Sequence, residues 1–148
     1  MVIKQLSVFL ENKEGRLESV TQALCKEDIN IASFSLADTS EFGLLRMIVS
    51  DPEKAKKILK DMGFSAKLTN VIAVKIAQKP GTLHEVLKLL FEAGLSVEYM
   101  YTLATKGKNT SVIMKLSDLD QALKVLDTSG YEVCTAKEAY EINNCVDK

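Results

Sequence analysis

Apolar and polar residues alternate along some stretches of the chain and follow a helical spacing along others. Residues 3–10 and 71–77 alternate with period two, which predicts strands with one apolar face. Residues 16–27 and 82–93 place apolar side chains three and four positions apart, which predicts amphipathic helices. Further strands are predicted at about 29–37, 44–50, 64–68, 95–104, 111–117 and 131–135.

The chain repeats this order of elements. A shift of 66 residues places Gly15-Arg16-Leu17 on Gly81-Thr82-Leu83. Beyond the middle of each copy the shift is 67, so that Gly63 aligns with Gly130. One residue inserted in the second copy, between Leu103 and Val112, explains the change. Such a repeat predicts two copies of one βαββαβ unit.

Turn and cap residues recur at matching places in both copies. The second helix of the first copy is predicted to begin at Asp51-Pro52, with Ser117 or Asp118 as its counterpart. Gly63 and Gly130 are predicted to end these helices in a left-handed conformation. Hairpin loops are predicted at 38–40 and 106–109, and a short last helix at about 136–142, where Thr135 and Glu138 form a capping box.

The order of elements predicts an α+β fold. Each unit, 1–69 and 70–142, is expected to be ferredoxin-like, a four-stranded antiparallel sheet with two helices on one face. The other face is expected to be open, and its partly apolar character suggests a homodimer or docking between units. Its predicted residues are Phe9, Ile48, Ala73 and Ile113, beside Gln5, Arg46, Lys75 and Lys115.

Charge and cysteine content exclude several classes of partner. The 19 basic and 20 acidic residues give a net charge of -1, which argues against binding to nucleic acid or to an acidic membrane surface. No apolar run approaches the roughly 20 residues that span a bilayer, and no signal peptide is expected. The chain has three cysteines, Cys25, Cys134 and Cys145, which is an odd number, and none of them forms a CxxC pair. They are interpreted as reduced thiols in a cytoplasmic protein, and a metal or disulfide framework is the alternative.

No residue pattern points to catalysis. His84 is the one histidine, and no serine, cysteine or acid is placed in the sequence to form a triad with it. Cofactor and metal motifs do not occur. No catalysis is therefore expected, and the alternatives to a sensor are a small enzyme on the same scaffold or a protein-interaction module without a ligand. An RNA-binding module would need aromatic residues on its central strands and a basic surface.

A polar turn followed by glycine and leucine at the start of a helix resembles the entry motif of the ACT domain. The motif is present as Asn12-Lys13-Glu14-Gly15-Arg16-Leu17 and as Gln78-Lys79-Pro80-Gly81-Thr82-Leu83. The resemblance covers both copies and is similar to bacterial proteins made of two ACT domains without an attached enzyme. It implies regulation by a free amino acid, and a regulated enzyme or transporter as a possible protein partner.

The resemblance also implies where the amino acid binds. In ACT proteins the ligand lies where two units meet, near the first strand-to-helix turn. A helix start offers N–H groups to a carboxylate. Ser33, Glu98 and Tyr99 on the second strand of each copy are candidates for the other end of the ligand. The expected site residues of the turns are Asn12, Lys13, Glu14, Gly15, Arg16, Leu17, Gln78, Lys79, Pro80, Gly81, Thr82 and Leu83.

Overall fold

A computed structural model describes residues 2–38, 41–103 and 109–141. The strands are β1 (Ile3–Glu11), β2 (Ile31–Asp38), β3 (Phe42–Val49), β4 (Ser65–Ala77), β5 (Val97–Leu103) and β6 (Asn109–Leu116). The helices are α1 (Arg16–Lys26), α2 (Pro52–Asp61), α3 (Thr82–Glu92), α4 (Leu119–Thr128) and α5 (Ala136–Glu141). The predicted α+β fold and its antiparallel pairing are confirmed.

The first compact unit comprises Lys4–Thr69, with the strand order β2-β3-β1-β4. Alternate residues of β1 and β3 face α1 and α2, because the side chains of a strand point to opposite faces in turn. Leu6 of β1 lies opposite Met47 of β3, and Val8 lies opposite Leu45. These four residues are buried with Val20, Leu24, Ala55 and Leu59 of the two helices. The helices therefore cover one face of the sheet, as the repeat predicts.

The second compact unit runs from Asn70 to the end of the described region, with Val2 and Ile3. Its strand order is β4-β6-β5, and Ile72, Val74 and Met114 are buried among residues of α3 and α4. The fourth strand predicted at 131–135 is wrong in extent. Only Val133 forms a bridge, to Val74, because the capping of α5 follows at once.

The strands predicted separately at 64–68 and 71–77 are one strand, β4. Thr69 and Asn70 join them in extended backbone, and the division between the two compact units falls between these residues. Neither residue is glycine or proline, so nothing in the local sequence requires a turn. Asn70 is thus a boundary inside a strand.

The helix ends follow the sequence predictions. Asp51 accepts a hydrogen bond from the Lys54 N–H at 3.1 Å, and Asp118, rather than Ser117, does the same for the Gln121 N–H at 3.1 Å. A buried polar group or helix N–H without such a partner costs free energy, so both caps stabilise their helices. Helix α5 begins as expected, with the Glu138 N–H bonded to Thr135 Oγ1 at 3.1 Å.

The prediction of an open second sheet face needs correction. Ile48, Ala73 and Ile113 are fully buried, and so is Gln5, whereas Phe9 is half exposed. Alternation along a strand shows which face a side chain occupies, but it does not show what covers that face. Arg46, Lys75 and Lys115 are intermediate in exposure.

Some predictions fall on residues outside the described ranges. These are most of the two hairpin loops, at 39–40 and 106–108, Ala104 at the end of a predicted strand, Ile142 at the end of the last predicted helix, and Cys145. Among the described residues, no helix combines the length and apolar character needed to span a membrane.

Candidate functional site

The two strand-to-helix turns have the same backbone geometry. Gly15 and Gly81 precede α1 and α3 with φ angles of 80° and 88°. The Lys13 N–H donates to the Glu11 carbonyl at 2.8 Å, and the Lys79 N–H donates to the Ala77 carbonyl at 3.0 Å. The left-handed φ makes glycine the favoured residue at both turns. A Cβ added to Gly15 or Gly81 would meet nothing within 4 Å, so the space beside each glycine is open.

The starts of α1 and α3 differ from those of α2 and α4. Among the described residues, no side chain caps α1 or α3, whereas Asp51 caps α2 and Asp118 caps α4. In the described part of the chain, nothing accepts hydrogen bonds from the backbone N–H groups of Leu17, Glu18, Leu83 and His84. Each uncapped start therefore presents unpaired donors and the positive end of a helix dipole.

A cleft of about 190 Å³ adjoins the first turn. Among the predicted residues, Asn12, Lys13, Arg16 and Leu17 line it, while Glu14 and Gly15 do not. Three of its charged groups pair with one another: Glu11 Oε2 lies 3.0 Å from Lys13 Nζ and 3.8 Å from Arg16 Nη2. The hydrogen bond from Lys13, with the charges of Lys13 and Arg16, lowers the pKa of Glu11 from its ordinary value.

A wider cleft of about 440 Å³ adjoins the second turn. Gln78 Nε2 donates to Thr110 Oγ1 across it. Thr82 Oγ1 lies 2.7 Å from the Ala77 carbonyl and 3.1 Å from the Lys79 carbonyl, so its hydroxyl holds the turn in shape. All the predicted residues of this turn except Gly81 line the cleft: Gln78, Lys79, Pro80, Thr82 and Leu83.

The three predicted residues on the second strands lie elsewhere. Ser33 is buried opposite Ile48 in the β2–β3 pair, and Tyr99 is partly buried opposite Lys115 in the β5–β6 pair. Glu98 is exposed. Neither cleft includes any of the three in its lining. The structure thus brings the turn residues together, and the role of the strand residues stays a prediction.

Sequence reasoning missed several lining residues. Leu36, Asp38 and Gly43 complete the first cleft, while Thr102 and Thr110 contribute to the second. They belong to strands that approach each turn only through sheet pairing, which a single sequence does not give. The repeat still contained a signal, because Leu36 and Thr102 are 66 positions apart, as are the two turns.

A larger cleft of about 610 Å³ lies in the second unit, away from the turns. Lys75, Tyr131, Glu132 and Glu138 are among its lining residues. Lys75 Nζ pairs with Glu138 at 2.9 Å and with Glu132 at 3.5 Å. Lys75, Glu132 and Glu138 are therefore already paired with one another within the chain, and volume alone does not make this cleft the better candidate. Across the described residues, no group of three or more histidine, cysteine or acidic side chains could hold a metal ion.

Comparisons with known proteins give a consistent result. A family model described as an ACT domain pair matches residues 1–142. A crystal structure of a Bacteroides thetaiotaomicron protein superposes with a TM-score of 0.91 at 42% identity, over 95% of this chain and 97% of that one. The ligand-free regulatory subunit of aspartate kinase from Thermus thermophilus gives a TM-score of 0.63 at 18% identity, over 86% and 91% of the chains. The corresponding subunit from Thermus flavus gives 0.57 at 19% identity, over 86% and 93%. A search of curated proteins finds no significant match.

Proposed function

This chain belongs to the ACT domain pair family, and from that premise we propose that it is a regulatory protein that binds a free amino acid at its strand-to-helix turns. The proposal includes no catalysis and no cofactor. It extends to this chain the regulatory role named for the aspartate kinase subunits that share its fold. The amino acid is the signal, and a regulated enzyme or transporter is the proposed receiver.

The contrast between the helix starts carries the proposal. Asp51 and Asp118 place a carboxylate on the N-terminal N–H groups of α2 and α4. Helices α1 and α3 begin with a left-handed glycine and no cap, beside open clefts. The carboxylate of a free amino acid would give these two helices the partner that aspartate gives the others, because anions bind well at helix starts.

The surroundings of the turns suit a ligand of amino-acid size. Gln78 carries both an amide donor and a carbonyl acceptor, so it can bond either polar end of the ligand. Pro80 restricts the second turn before binding and lowers the ordering cost. A ligand of roughly ten heavy atoms makes limited contact, so we expect dissociation constants of about micromolar to millimolar. Such values suit a sensor whose occupancy follows metabolite concentration.

A thermal-shift screen against glycine and the nineteen common L-amino acids tests this function. A ligand that binds only the native state raises the free energy of unfolding by about 2.7 kcal/mol at a concentration of 100 Kd. At least one L-amino acid should therefore raise the Tm, and its D-enantiomer, which has the same charge and osmotic effect, should raise it much less. If no chiral amino acid raises the Tm more than its D-enantiomer, and glycine raises it no more than a salt control, the proposed function is wrong.

A further inference from the structure

The end of the second unit is attached to its sheet differently from the equivalent segment of the first unit. Residues 65–68, which correspond to 132–135 in the repeat, form the first part of β4, and β4 lies beside β1 in the sheet. In 132–135 the described pairing is one bridge, between Val133 and Val74, and helix α5 follows it. Residues 131–141, from this bridge to the end of α5, are called the strap below.

The strap is joined to β4 at two places. Around the bridge, the Lys75 N–H donates to the Glu132 carbonyl at 2.8 Å, and the Cys134 N–H donates to the Ala73 carbonyl at 2.8 Å. Further along, the Glu138 carboxylate pairs with Lys75 Nζ at 2.9 Å. Lys75 thus contacts the strap through both its backbone and its side chain.

Helix α5 depends on this attachment for its helical form. It has six residues, and isolated helices shorter than about 12 residues are marginal in water. Its Ala139 is fully buried, so the helix gains stability from packing as well as from the Lys75–Glu138 ion pair. Detachment of α5 removes both contributions, and the helix should therefore detach and unfold in one event.

The strap covers two features of the second unit. Part of the lining of the cleft of about 610 Å³ comes from the strap, namely Tyr131, Glu132, Val133 and Glu138. The Cys134 thiol is 1% exposed, and its Sγ lies 3.2 Å from Ser111 Oγ of β6. Displacement of the strap would remove one side of the cleft and bring this thiol into contact with solvent.

We propose that the strap opens and closes as one unit while the six strands and helices α1 to α4 stay folded, and that it thereby controls access to the Cys134 thiol and to the cleft of about 610 Å³. Segments of a native protein that are held by few hydrogen bonds and little buried surface open at a lower free energy than the whole. The inference does not depend on amino-acid binding at the turns.

The rate at which Ellman's reagent labels Cys134 at constant pH tests the inference. Cys25→Ser with Cys145→Ser leaves Cys134 as the one thiol of the chain. Its thiolate attacks the disulfide of the reagent, forms a mixed disulfide and releases a coloured thiolate. Labelling should be about a hundredfold or more slower than for the same thiol in the urea-unfolded chain. Local opening exposes little surface, so the urea dependence should be about half or less of that for global unfolding.

Three further substitutions in this background separate local opening from global unfolding. Ala139→Asp buries a charge beneath the strap and should speed labelling about tenfold or more. Glu138→Gln removes a partly exposed ion pair and should speed it about two- to fivefold. Asp51→Ala, the matched control, removes the cap of α2 in the first unit and should leave the rate within about twofold. Circular dichroism and urea unfolding verify that each variant is folded.

Several results would overturn the strap. Labelling that occurs only with global unfolding, or that is as fast as in the unfolded chain, excludes a closed strap that opens locally. An equal acceleration by Asp51→Ala and Ala139→Asp does the same, and an unchanged rate in Glu138→Gln excludes the ion pair as an attachment.

Amide hydrogen exchange of the unsubstituted chain gives a second measurement without any substitution. The Lys75 and Cys134 N–H groups donate across the same bridge, so one opening event frees both. Their protection factors should agree within about threefold and lie below those of the β1–β3 ladder. Protection that differs by more than about tenfold between the two amides, or that equals the protection of the ladder, overturns opening as one unit.

Discussion

Lys75 of β4 and Glu138 of α5 form an ion pair of 2.9 Å that ties the last described helix to the sheet. Ala139, next to Glu138, is fully buried, and Cys134 Sγ lies 3.2 Å from Ser111 Oγ at the start of the same segment. The hydrogen bond from Lys75 lowers the pKa of Glu138, and the same bond raises the pKa of Lys75. The stability that this ion pair contributes therefore depends on pH.

The stabilisation by this pair should be lost at both ends of the pH range. Since the folded-state pKa of Glu138 is lowered, its contribution is present above the unfolded pKa and is lost as the pH falls through the folded value. Since the folded-state pKa of Lys75 is raised, its contribution is present below the ordinary value of 10.5 and is lost as the pH rises through the folded value.

Urea unfolding across the pH range measures this loss. Glu138→Gln should lower the free energy of unfolding at neutral pH by about 1 kcal/mol or less, because Glu138 is largely solvent-accessible. It should also make the free energy of unfolding fall less steeply as the pH is lowered from neutrality. Glu132→Gln is the matched control, since Glu132 is 79% exposed and lies 3.5 Å from Lys75. If the free energy of unfolding of Glu138→Gln falls as steeply at acid pH as that of the unsubstituted chain, Glu138 is not the source of the pH dependence.

The aspartate caps should contribute measurably to stability. Asp51→Ala and Asp118→Ala each remove an acceptor for a helix N–H, and each should lower the free energy of unfolding by about 1 kcal/mol. Asp51→Asn and Asp118→Asn keep an acceptor oxygen and should lose much less. Thermal unfolding of the four variants provides the measurement, and equal losses for alanine and asparagine would rule out capping as the cause.

Gly15 and Gly81 should be required for backbone conformation rather than for close packing. A Cβ at either position would meet nothing within 4 Å, so only the left-handed φ opposes a side chain. Gly81→Val should therefore lower the free energy of unfolding by about 1–2 kcal/mol or more. Gly81→Asn should lose less, because asparagine tolerates this conformation. Chemical denaturation distinguishes the two, and similar losses for valine and asparagine would contradict a conformational origin.

The edge strand β2 should support a homodimer. Phe34 on this strand is 69% exposed, and the outer edge of β2 has no strand beside it in the described structure. Light scattering at micromolar concentration should give twice the chain mass of 16.3 kDa. Phe34→Lys should shift the protein to the monomer, since a charge on an edge opposes strand pairing. Phe91→Lys, at an exposed position on α3, should leave the dimer unchanged. A strictly 16.3 kDa species for the unsubstituted chain would exclude the dimer.

The sequence was sufficient for the fold because local signals and the repeat agreed. Asp51 and Asp118 lie at equivalent places in the two copies, as do Gly63 and Gly130, and each acts locally as its residue type predicts. The extent of β4 was missed because Thr69 and Asn70 are compatible with both a turn and a strand. The reduction of 131–135 to one bridge depends on the competing helix that begins at Ala136.

The candidate site was only partly accessible from sequence. The turns are contiguous in the chain, so their residues could be named directly. Thr102 and Thr110 reach the second cleft through the pairing of β5 and β6 with the rest of the sheet, which one sequence does not reveal. Glu11 was missed because its importance lies in a contact with Lys13 and Arg16 rather than in a motif.

Nuclear magnetic resonance titration of the backbone amides tests the central claim most directly. The titrant is the L-amino acid that raises the Tm most in the thermal screen. The N–H signals of Leu83 and His84, at the uncapped start of α3, should move in a saturable way. Those of Glu53 and Lys54, at the aspartate-capped start of α2, should remain in place. Saturable binding that leaves the Leu83 and His84 signals unmoved would contradict a ligand carboxylate at this turn.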